Sequence, residues 1–340
     1  MLANRSRYEE SVRKGIGWIV SQTNGDGTVN PAEKGAFAYY KLPWALALAG
    51  RAREAASIIR WIVAETMTAT GDFHTDKRSK FHLDYYAYEN AWIVAAAHTL
   101  GLFDISRRGW AYIETLRDPH TGGFCSNRPF EEGANLQEDP LSTAWASNVA
   151  LHLGHLDAAA SAAGFLRMIW DIQPDPRDAF YFRWRPGTGL IVARLPEEPA
   201  DRDFRVSATE PQNWYYILGA QIAFLAKLYL ASGDRAHLEL ALRVNDFAMR
   251  CHEDVFHTDS SGKIGYGNSF LYYATGEERF LRAAERCADY LADDQRPEGF
   301  WMRDGKPTAS STAEFCLWLG TLVSVDAALS RGNGAGHVRA

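Results

Sequence analysis

The sequence predicts an all-α fold: an (α/α)6 toroid, six helical hairpins closed into a ring around one aromatic-lined cavity, with a small β-hairpin insertion. Three observations predict it: a repeat in the second half of the chain, glycine turns that recur along its length, and helices that alternate between two characters. The repeat is Leu228-Tyr229-x-Ala231-Ser232-Gly233-Asp234, followed by Leu238, Ala241, Arg243, Asp246 and Phe247. Its copy is Leu271-Tyr272-x-Ala274-Thr275-Gly276-Glu277, followed by Leu281, Ala284, Arg286, Asp289 and Tyr290, at a constant offset of 43. Each copy reads as a helix end, a Gly turn, and an amphipathic helix with apolar residues three and four apart.

The same grammar recurs at Gly50, Gly101 and Gly154, each followed at once by a helix. The intervals between Gly turns are 51, 53, 79 and 43 residues. Most suit two helices per unit with one short and one longer connection. The longer connections are Asn24-Gly25-Asp26-Gly27-Thr28, Thr70-Gly71-Asp72-Phe73, Thr121-Gly122-Gly123-Phe124, Ser260-Ser261-Gly262-Lys263-Ile264-Gly265 and Pro297-Glu298-Gly299-Phe300-Trp301. Each reads as a turn and then a short extended piece. Between them lie twelve expected helices: 7–22, 37–49, 51–67, 85–100, 103–117, 140–154, 156–171, 211–232, 234–251, 265–275, 277–293 and 310–330.

Helices after the Gly turns carry Arg and Glu on one face, as an outer layer should. Those after the longer loops are apolar nearly all round, as an inner layer should. An open stack of hairpins would be a solenoid with capping repeats; six units without polar caps favour closure. The 79-residue interval holds an insertion over 174–209. In it Phe180–Trp184 and Gly189–Ala193 flank Arg185-Pro186-Gly187-Thr188, a β-hairpin signal. Glu197 to Arg205 then reads as an exposed loop that suits a lid. Residues 1–340 read as one domain, with a Gly-rich, frayed tail from Arg331.

The net charge of −6 and pI near 5.9 argue against nucleic acid or an anionic membrane as partner. The N-terminus has no apolar signal region, and no run of 18 apolar residues marks a membrane span. Cys125, Cys251, Cys287 and Cys316 are far apart, which suits reduced thiols in a cytoplasmic protein and no zinc site. No metal motif, P-loop or dinucleotide motif is present, so neither metal nor cofactor is expected. Eleven Trp, 15 Tyr and 17 Phe are in excess; so many tyrosine hydroxyls need partners, which a wet internal cavity would supply.

Trp18-Ile19-Val20-Ser21-Gln22 before Asp26-Gly27, and Asp118-Pro119-His120-Thr121-Gly122-Gly123-Phe124, resemble the terpenoid cyclase and protein prenyltransferase toroids. The turn Gly276-Glu277-Glu278-Arg279-Phe280-Leu281 and the helix after it are similar to the six-hairpin glycosidases. The resemblance spans nearly the whole chain and implies architecture more than chemistry. Protonating cyclases open an inner helix with Asp-x-Asp-Asp-Thr. The nearest match here, Glu138-Asp139-Pro140-Leu141-Ser142-Thr143-Ala144, lacks the paired aspartates, and the Asp, Cys and His zinc set of the prenyltransferases has no counterpart.

In a closed ring the loops feeding the inner helices surround one mouth, and the helix N-termini favour an anionic or oxygen-rich ligand there. The expected lining residues are Tyr40, Lys41 and Trp44; Tyr88, Asn90 and Trp92; Trp145; Gln212 and Trp214; and Tyr266 and Asn268. The candidate catalytic groups are Glu89, Asp139, Glu314 and His74. Each has a structural alternative. Asp139 before Pro140 reads equally as an N-cap. Ser311-Thr312-Ala313-Glu314 is a capping box as it stands, and Asp84 and Glu210 read as ordinary loop or cap carboxylates. Glu89, one turn into its helix beside Tyr85 and Trp92, is harder to dismiss. His74 and His82 bracket a surface loop, while His98, His152 and His155 fall at far helix ends. Arg183 and Arg185 alternate with Trp184, so both suit either an anion clamp or an exposed strand face.

Two activities and a binding role fit this pattern. The first is an enzyme that cyclises or isomerises a terpenoid- or polyketide-like small molecule without a metal, using a neutral aromatic wall and restricted geometry. The second is a carbohydrate-active enzyme, a glycoside hydrolase, lyase or epimerase, with sugar faces stacked on Trp and Tyr and two carboxylates as acid and base. The third is a non-catalytic binding toroid. The excess of neutral aromatics over charges at the expected mouth favours the first.

Overall fold

A computed structural model describes residues 2–31, 35–73, 85–126, 136–193 and 204–332. Among them are twelve α-helices: α1 (Arg5–Gln22), α2 (Leu42–Leu48), α3 (Ala52–Thr66), α4 (Ala87–Thr99), α5 (Phe103–Glu114), α6 (Pro140–Leu153), α7 (Leu156–Asp171), α8 (Tyr216–Ser232), α9 (Arg235–Ala248), α10 (Ser261–Thr275), α11 (Glu278–Asp294) and α12 (Ala309–Gly332). The even-numbered helices form the inner layer, each packing on the next, and α12 returns to pack on α2. The odd-numbered helices form the outer layer. The ring is therefore closed: an (α/α)6 toroid.

The two layers follow from composition. On inner α4, every residue from Ala87 to Ala97 is buried, Glu89 and Asn90 included. On outer α11, the apolar stripe Phe280, Leu281, Ala284, Cys287, Ala288 and Leu291 is buried while Arg and Glu take the other face. A contiguous apolar stripe of this kind must be covered by a second layer. The turn glycines Gly50, Gly101, Gly154, Gly233 and Gly276 all have φ between 72° and 86°, which lets each outer helix start directly after an inner one.

The longer loops lock neighbouring units together. Gly27 lies so close to α3 that a Cβ would sit 2.4 Å from the Ser57 carbonyl oxygen, and Gly299 repeats the contact with the Lys14 carbonyl of α1 at 2.5 Å. The second contact joins the last unit to the first. The N-terminus completes the seam: the Leu2 amide donates to Asp326 at 3.0 Å and the Tyr8 hydroxyl to Asp289 at 2.8 Å.

Three helix starts differ from the sequence reading by four residues or more. Helix α2 begins at Leu42 rather than 37, after a 3-10 turn over Ala36–Ala38, because Pro43 suits only a first turn. Helix α8 begins at Tyr216 rather than 211, because Gln212 takes a φ of 53°. Helix α10 begins at Ser261 rather than 265. Its glycines are packing positions: a Cβ on Gly262 would meet the Trp318 ring at 2.5 Å, and one on Gly265 would meet Cys287 at 2.9 Å.

In the insertion, β2 (Trp184–Arg185) pairs with β3 (Gly189–Leu190) around Pro186-Gly187, and β1 (Ala179–Tyr181) pairs instead with β4 (Arg205–Ser207). Most of the expected lid loop, residues 194–203, lies outside the described residues, as do His74, His82, Asp84 and the tail after 332. A last hairpin, β5 (Met302–Arg303) and β6 (Lys306–Pro307), precedes α12. By length and composition Ala309–Arg331 would suffice to cross a membrane. Its long apolar face packs against α1, α2 and α10 inside the ring. All four cysteines are buried and free.

Candidate functional site at the mouth of the ring

A cavity of about 1500 Å³ opens where the longer loops enter the inner helices. That exceeds the roughly 300–1,000 Å³ of ordinary small-molecule sites. Tyr40, Lys41, Tyr88, Gln212, Trp214 and Glu314, all anticipated, line it. Its floor is a buried ion group. Lys41 at the entry to α2 and Lys263 in the first turn of α10 each donate to a different oxygen of Glu314 on α12. The three side chains are 5%, 11% and 6% exposed.

Aromatic rings frame both ammonium groups. Lys41 Nζ lies 5.3 Å from the Tyr40 ring centre and 5.9 Å from that of Trp92. Lys263 Nζ is 5.8 Å from each of Tyr88, Tyr216 and Trp318. These are cation–π distances. Burial pushes the Glu314 carboxyl up, but two adjacent ammonium groups outweigh it and hold the group at about 2. Burial draws Lys41 down to about 8, with Glu314 opposing and Lys263 and Arg303 assisting. Burial, reinforced by Glu314, raises the Tyr40 and Tyr88 hydroxyls well above the usual phenol range, so both remain protonated donors. Glu314 is thus a fixed carboxylate, and burial makes Lys41 easier to deprotonate than an ordinary lysine.

The walls mix rings with polar groups. Trp18 meets Phe300 at 5.3 Å on one side, and Trp214 stacks near Tyr216 at 6.4 Å on the other. Asn30, Gln212, Asn213, Ser310 and Ser311 supply amides and hydroxyls. The β5–β6 hairpin brings Arg303, Asp304 and Lys306 to the cavity, which His257 and Asp259 also line. Burial raises the Asp259 carboxyl, with Arg303 opposing and Asp304 and Glu314 assisting.

Other expected lining residues lie beneath the floor. Trp92 stacks on Trp145 at 4.9 Å; Trp44 meets Trp92 edge-on at 5.3 Å; Tyr266 meets Trp318 at 4.3 Å. All are buried, so the inner half of the ring's centre is packed solid. The late reading of α10 explains part of this. With the helix starting at Ser261, Lys263 occupies the first turn and Tyr266 falls one turn deeper, where its hydroxyl meets Lys227. Burial draws Lys227 down to about 7; its other polar neighbour is Asn148 at 3.2 Å.

The remaining candidates are held in the scaffold. Asp139 is fully buried and caps α6, accepting from Leu141 N at 2.7 Å and Ser142 N at 2.9 Å, with Arg183 3.8 Å away. Arg183 is itself buried, 4.5 Å from the Phe204 ring, and is no exposed clamp. Asn90 accepts from Phe73 N at 2.9 Å and donates to Asp72 at 3.1 Å, fixing the loop before α4. Asn268 is fully buried and donates to the Ile264 carbonyl at 3.0 Å. Glu89 is fully buried on α4, electrostatically coupled to Tyr40, and is not among the described residues lining the cavity. Glu138, which precedes the cap, accepts from Thr121, and burial raises it to about 8.

The sequence reading missed Lys263, Arg303, His257, Asp259 and Trp18 as cavity residues. For Lys263 a signal existed: Thr258, Ser260 and Ser261 are helix-start residues just ahead of it. His257 and Asp259 reach the mouth through loop conformation and Arg303 through a two-residue strand, none of which carries a periodicity to read, while Trp18 lies on outer helix α1, where nothing in the sequence signals that its ring reaches the cavity.

No protein-family model and no curated protein matches the chain. Solved structures do. A D-mannose isomerase superposes with a TM-score of 0.69 at 10% identity, over 95% of this chain and 99% of that one. The family 76 α-mannanase of Bacteroides thetaiotaomicron gives 0.65 at 11%, over 95% and 97%. The type II terpene cyclase MstE from Scytonema, in complex with merosterolic acid A, gives 0.60 at 12%, over 96% and 100%. These likenesses establish the α/α toroid fold, and the neighbours are enzymes.

Proposed function

We propose that the protein is a carbohydrate-active enzyme that moves a proton at the floor of the mouth cavity, isomerising or epimerising a hydroxylated carbonyl compound. The observation that carries this reading is the division of the ring's centre. The neutral tryptophan wall that a cyclase would need is packed beneath the floor, out of a ligand's reach. What faces the open space is a mixture of ring faces, amides, hydroxyls and charges. Sugars present the matching surfaces: C–H faces that stack on Trp214 and Trp18, and hydroxyls that pair with Gln212, Asn213, Ser310 and Ser311.

Lys41 is the candidate base. At about 8 its ammonium gives up a proton near neutrality, as proton transfer beside a carbonyl requires. Its neutral amine takes the proton from the carbon next to the substrate carbonyl, and the negative charge moves to the carbonyl oxygen. Lys263 and the Tyr40 and Tyr88 hydroxyls supply positive charge and donors for that oxygen. Return of the proton to the opposite face of the same carbon completes epimerisation; for isomerisation the neighbouring hydroxyl passes its proton to the former carbonyl oxygen and the Lys41 ammonium protonates the former carbonyl carbon, leaving the carbonyl on the next carbon. Glu314, held as a carboxylate, keeps both lysines in place.

The experiment is a panel of aldoses and ketoses in D2O followed by proton NMR. The reading expects deuterium to enter beside the carbonyl of one sugar, and Lys41→Met to slow this by about 10²–10⁴-fold. A second reading, cyclisation or isomerisation of a terpenoid- or polyketide-like molecule, draws support from the apolar side made by Trp18, Phe37, Phe300 and Phe315. Conversion of an isoprenoid by a protein inert toward every sugar would replace the first reading with the second.

A further inference from the structure

We propose that the mouth cavity recognises its ligand through an anionic group, a carboxylate or a phosphate, held by Lys263 and Arg303 and bound more tightly when Lys41 is protonated, so that tight anion binding and the neutral Lys41 amine needed for proton removal belong to different pH ranges. The inference rests on the cavity being the substrate site and names the substrate class within it. The floor carries two ammonium groups and one carboxylate, so it has one positive charge in excess, in a place that is about nine-tenths buried. Excess charge in such a place is costly unless an opposite charge meets it. Among the described residues, Glu314 is the carboxylate in contact with these lysines, and it is already shared between them.

A third cation approaches from the open side. Arg303 stands on the β5–β6 hairpin, directly across from Lys306, and lines the same cavity. It is near enough to act on Lys41, Tyr40, Tyr88 and Tyr216 across the open space. Its guanidinium is exposed and suits two-pronged contact with a carboxylate or phosphate. The carboxylates nearby do not cancel this arrangement. Asp259 and Asp304 stand at the rim, and burial disfavours the charged form of Asp259. Glu89 is buried, raises the Tyr40 hydroxyl and is not among the described residues lining the cavity. The cavity lining thus sets Lys41, Lys263, Arg303 and Lys306 against Glu314, Asp259 and Asp304, one positive charge in excess in a chain whose net charge is −6.

Binding of an anion stabilises the protonated form of Lys41, so affinity and protonation are linked. The groups facing Lys41 are Glu314 on α12, Lys263 on α10, Arg303 on the hairpin, and the Tyr40 and Trp92 rings. Anion affinity is therefore highest below pH 8 and declines above it, toward about tenfold per pH unit.

Isothermal titration of the whole protein with D-glucuronate, glucose 6-phosphate, D-glucose and inorganic sulfate, from pH 6.5 to 9.5, tests this. At least one anionic sugar is expected to bind about tenfold or more tightly than glucose, with that advantage fading above pH 8. Comparing glucuronate with glucose 6-phosphate tells carboxylate from phosphate. Arg303→Ala is expected to weaken the anionic sugar alone, and Lys41→Met to flatten the pH profile. Glucose binding as tightly as both anionic sugars, or equal weakening of neutral and anionic ligands by Arg303→Ala, overturns the proposal. Sulfate binding with the expected pH profile while no sugar binds keeps the anion site and removes the carbohydrate reading. Binding of glucose alone does the reverse, and no binding by any of the four removes both.

Discussion

The two halves of the ring's centre are built by the same six inner helices, yet they differ in almost every physical respect. At the mouth, Lys41, Lys263 and Glu314 form an ion group that faces open space. One or two turns deeper, Trp44, Trp92, Trp145, Trp318 and Tyr266 fill the axis, and Lys227 sits beyond them without a carboxylate in ion-pair range among the described residues. Both halves contain a lysine whose charge burial disfavours, drawn to about 8 at the mouth and about 7 below. Only the mouth couples its lysine to a fixed carboxylate and to an opening. The difference teaches that aromatic rings are common to both halves of this toroid, whereas paired charge beside open space marks the mouth alone.

Substitutions can break or sharpen that contrast. The largest effect on folding belongs to the charged half. Glu314→Ala leaves two buried ammonium groups facing each other, and is expected to cost about 3–5 kcal/mol in urea denaturation. A loss below 1 kcal/mol would mean that the lysines relax into solvent and that the floor is not rigid. In the packed half, Trp145→Ala opens a void among rings and is expected to cost about 3–5 kcal/mol at any pH. If the variant stays folded, ligand contacts at the mouth should persist.

Lys227 gives a smaller effect of opposite sign. Its folded-state value lies below its unfolded one, so its ammonium weighs on stability fully below about pH 7, and that weight is relieved as pH rises toward the unfolded value. Lys227→Met is expected to stabilise the protein at pH 6 by on the order of 1 kcal/mol, and by less at pH 9. Calorimetric melting at the two pH values checks this; equal shifts would show that packing alone changed. The smallest effect on folding belongs to the rim. Arg303→Ala is expected to alter stability by no more than about 0.5 kcal/mol, because the side chain is exposed.

Much of the architecture was legible from local signals. Gly50, Gly101, Gly154, Gly233 and Gly276 marked the hairpin turns because positive φ has a strong residue preference. The contrast between apolar and amphipathic helices marked the two layers. The site was legible only where helix starts were. Lys41 and Glu314 sit near recognisable starts and were found. Lys263 was read as loop because Gly262 and Gly265 look like helix breakers, whereas their purpose is to admit Trp318 and Cys287, residues distant in sequence. The same four-residue error moved Tyr266 and Asn268 toward the mouth. Trp92 and Trp145 were assigned to the cavity wall because a sequence cannot distinguish a ring that faces space from one that faces another ring.

A crystal soaked with a reducing sugar and, separately, with an isoprenoid carboxylate tests the division most directly. The account predicts sugar density in the mouth cavity, against Trp214 or Trp18 and within hydrogen-bonding distance of Lys41 or Lys263, with the tryptophans below undisturbed. An isoprenoid chain threaded between Trp92 and Trp145, with no sugar bound above them, would contradict it.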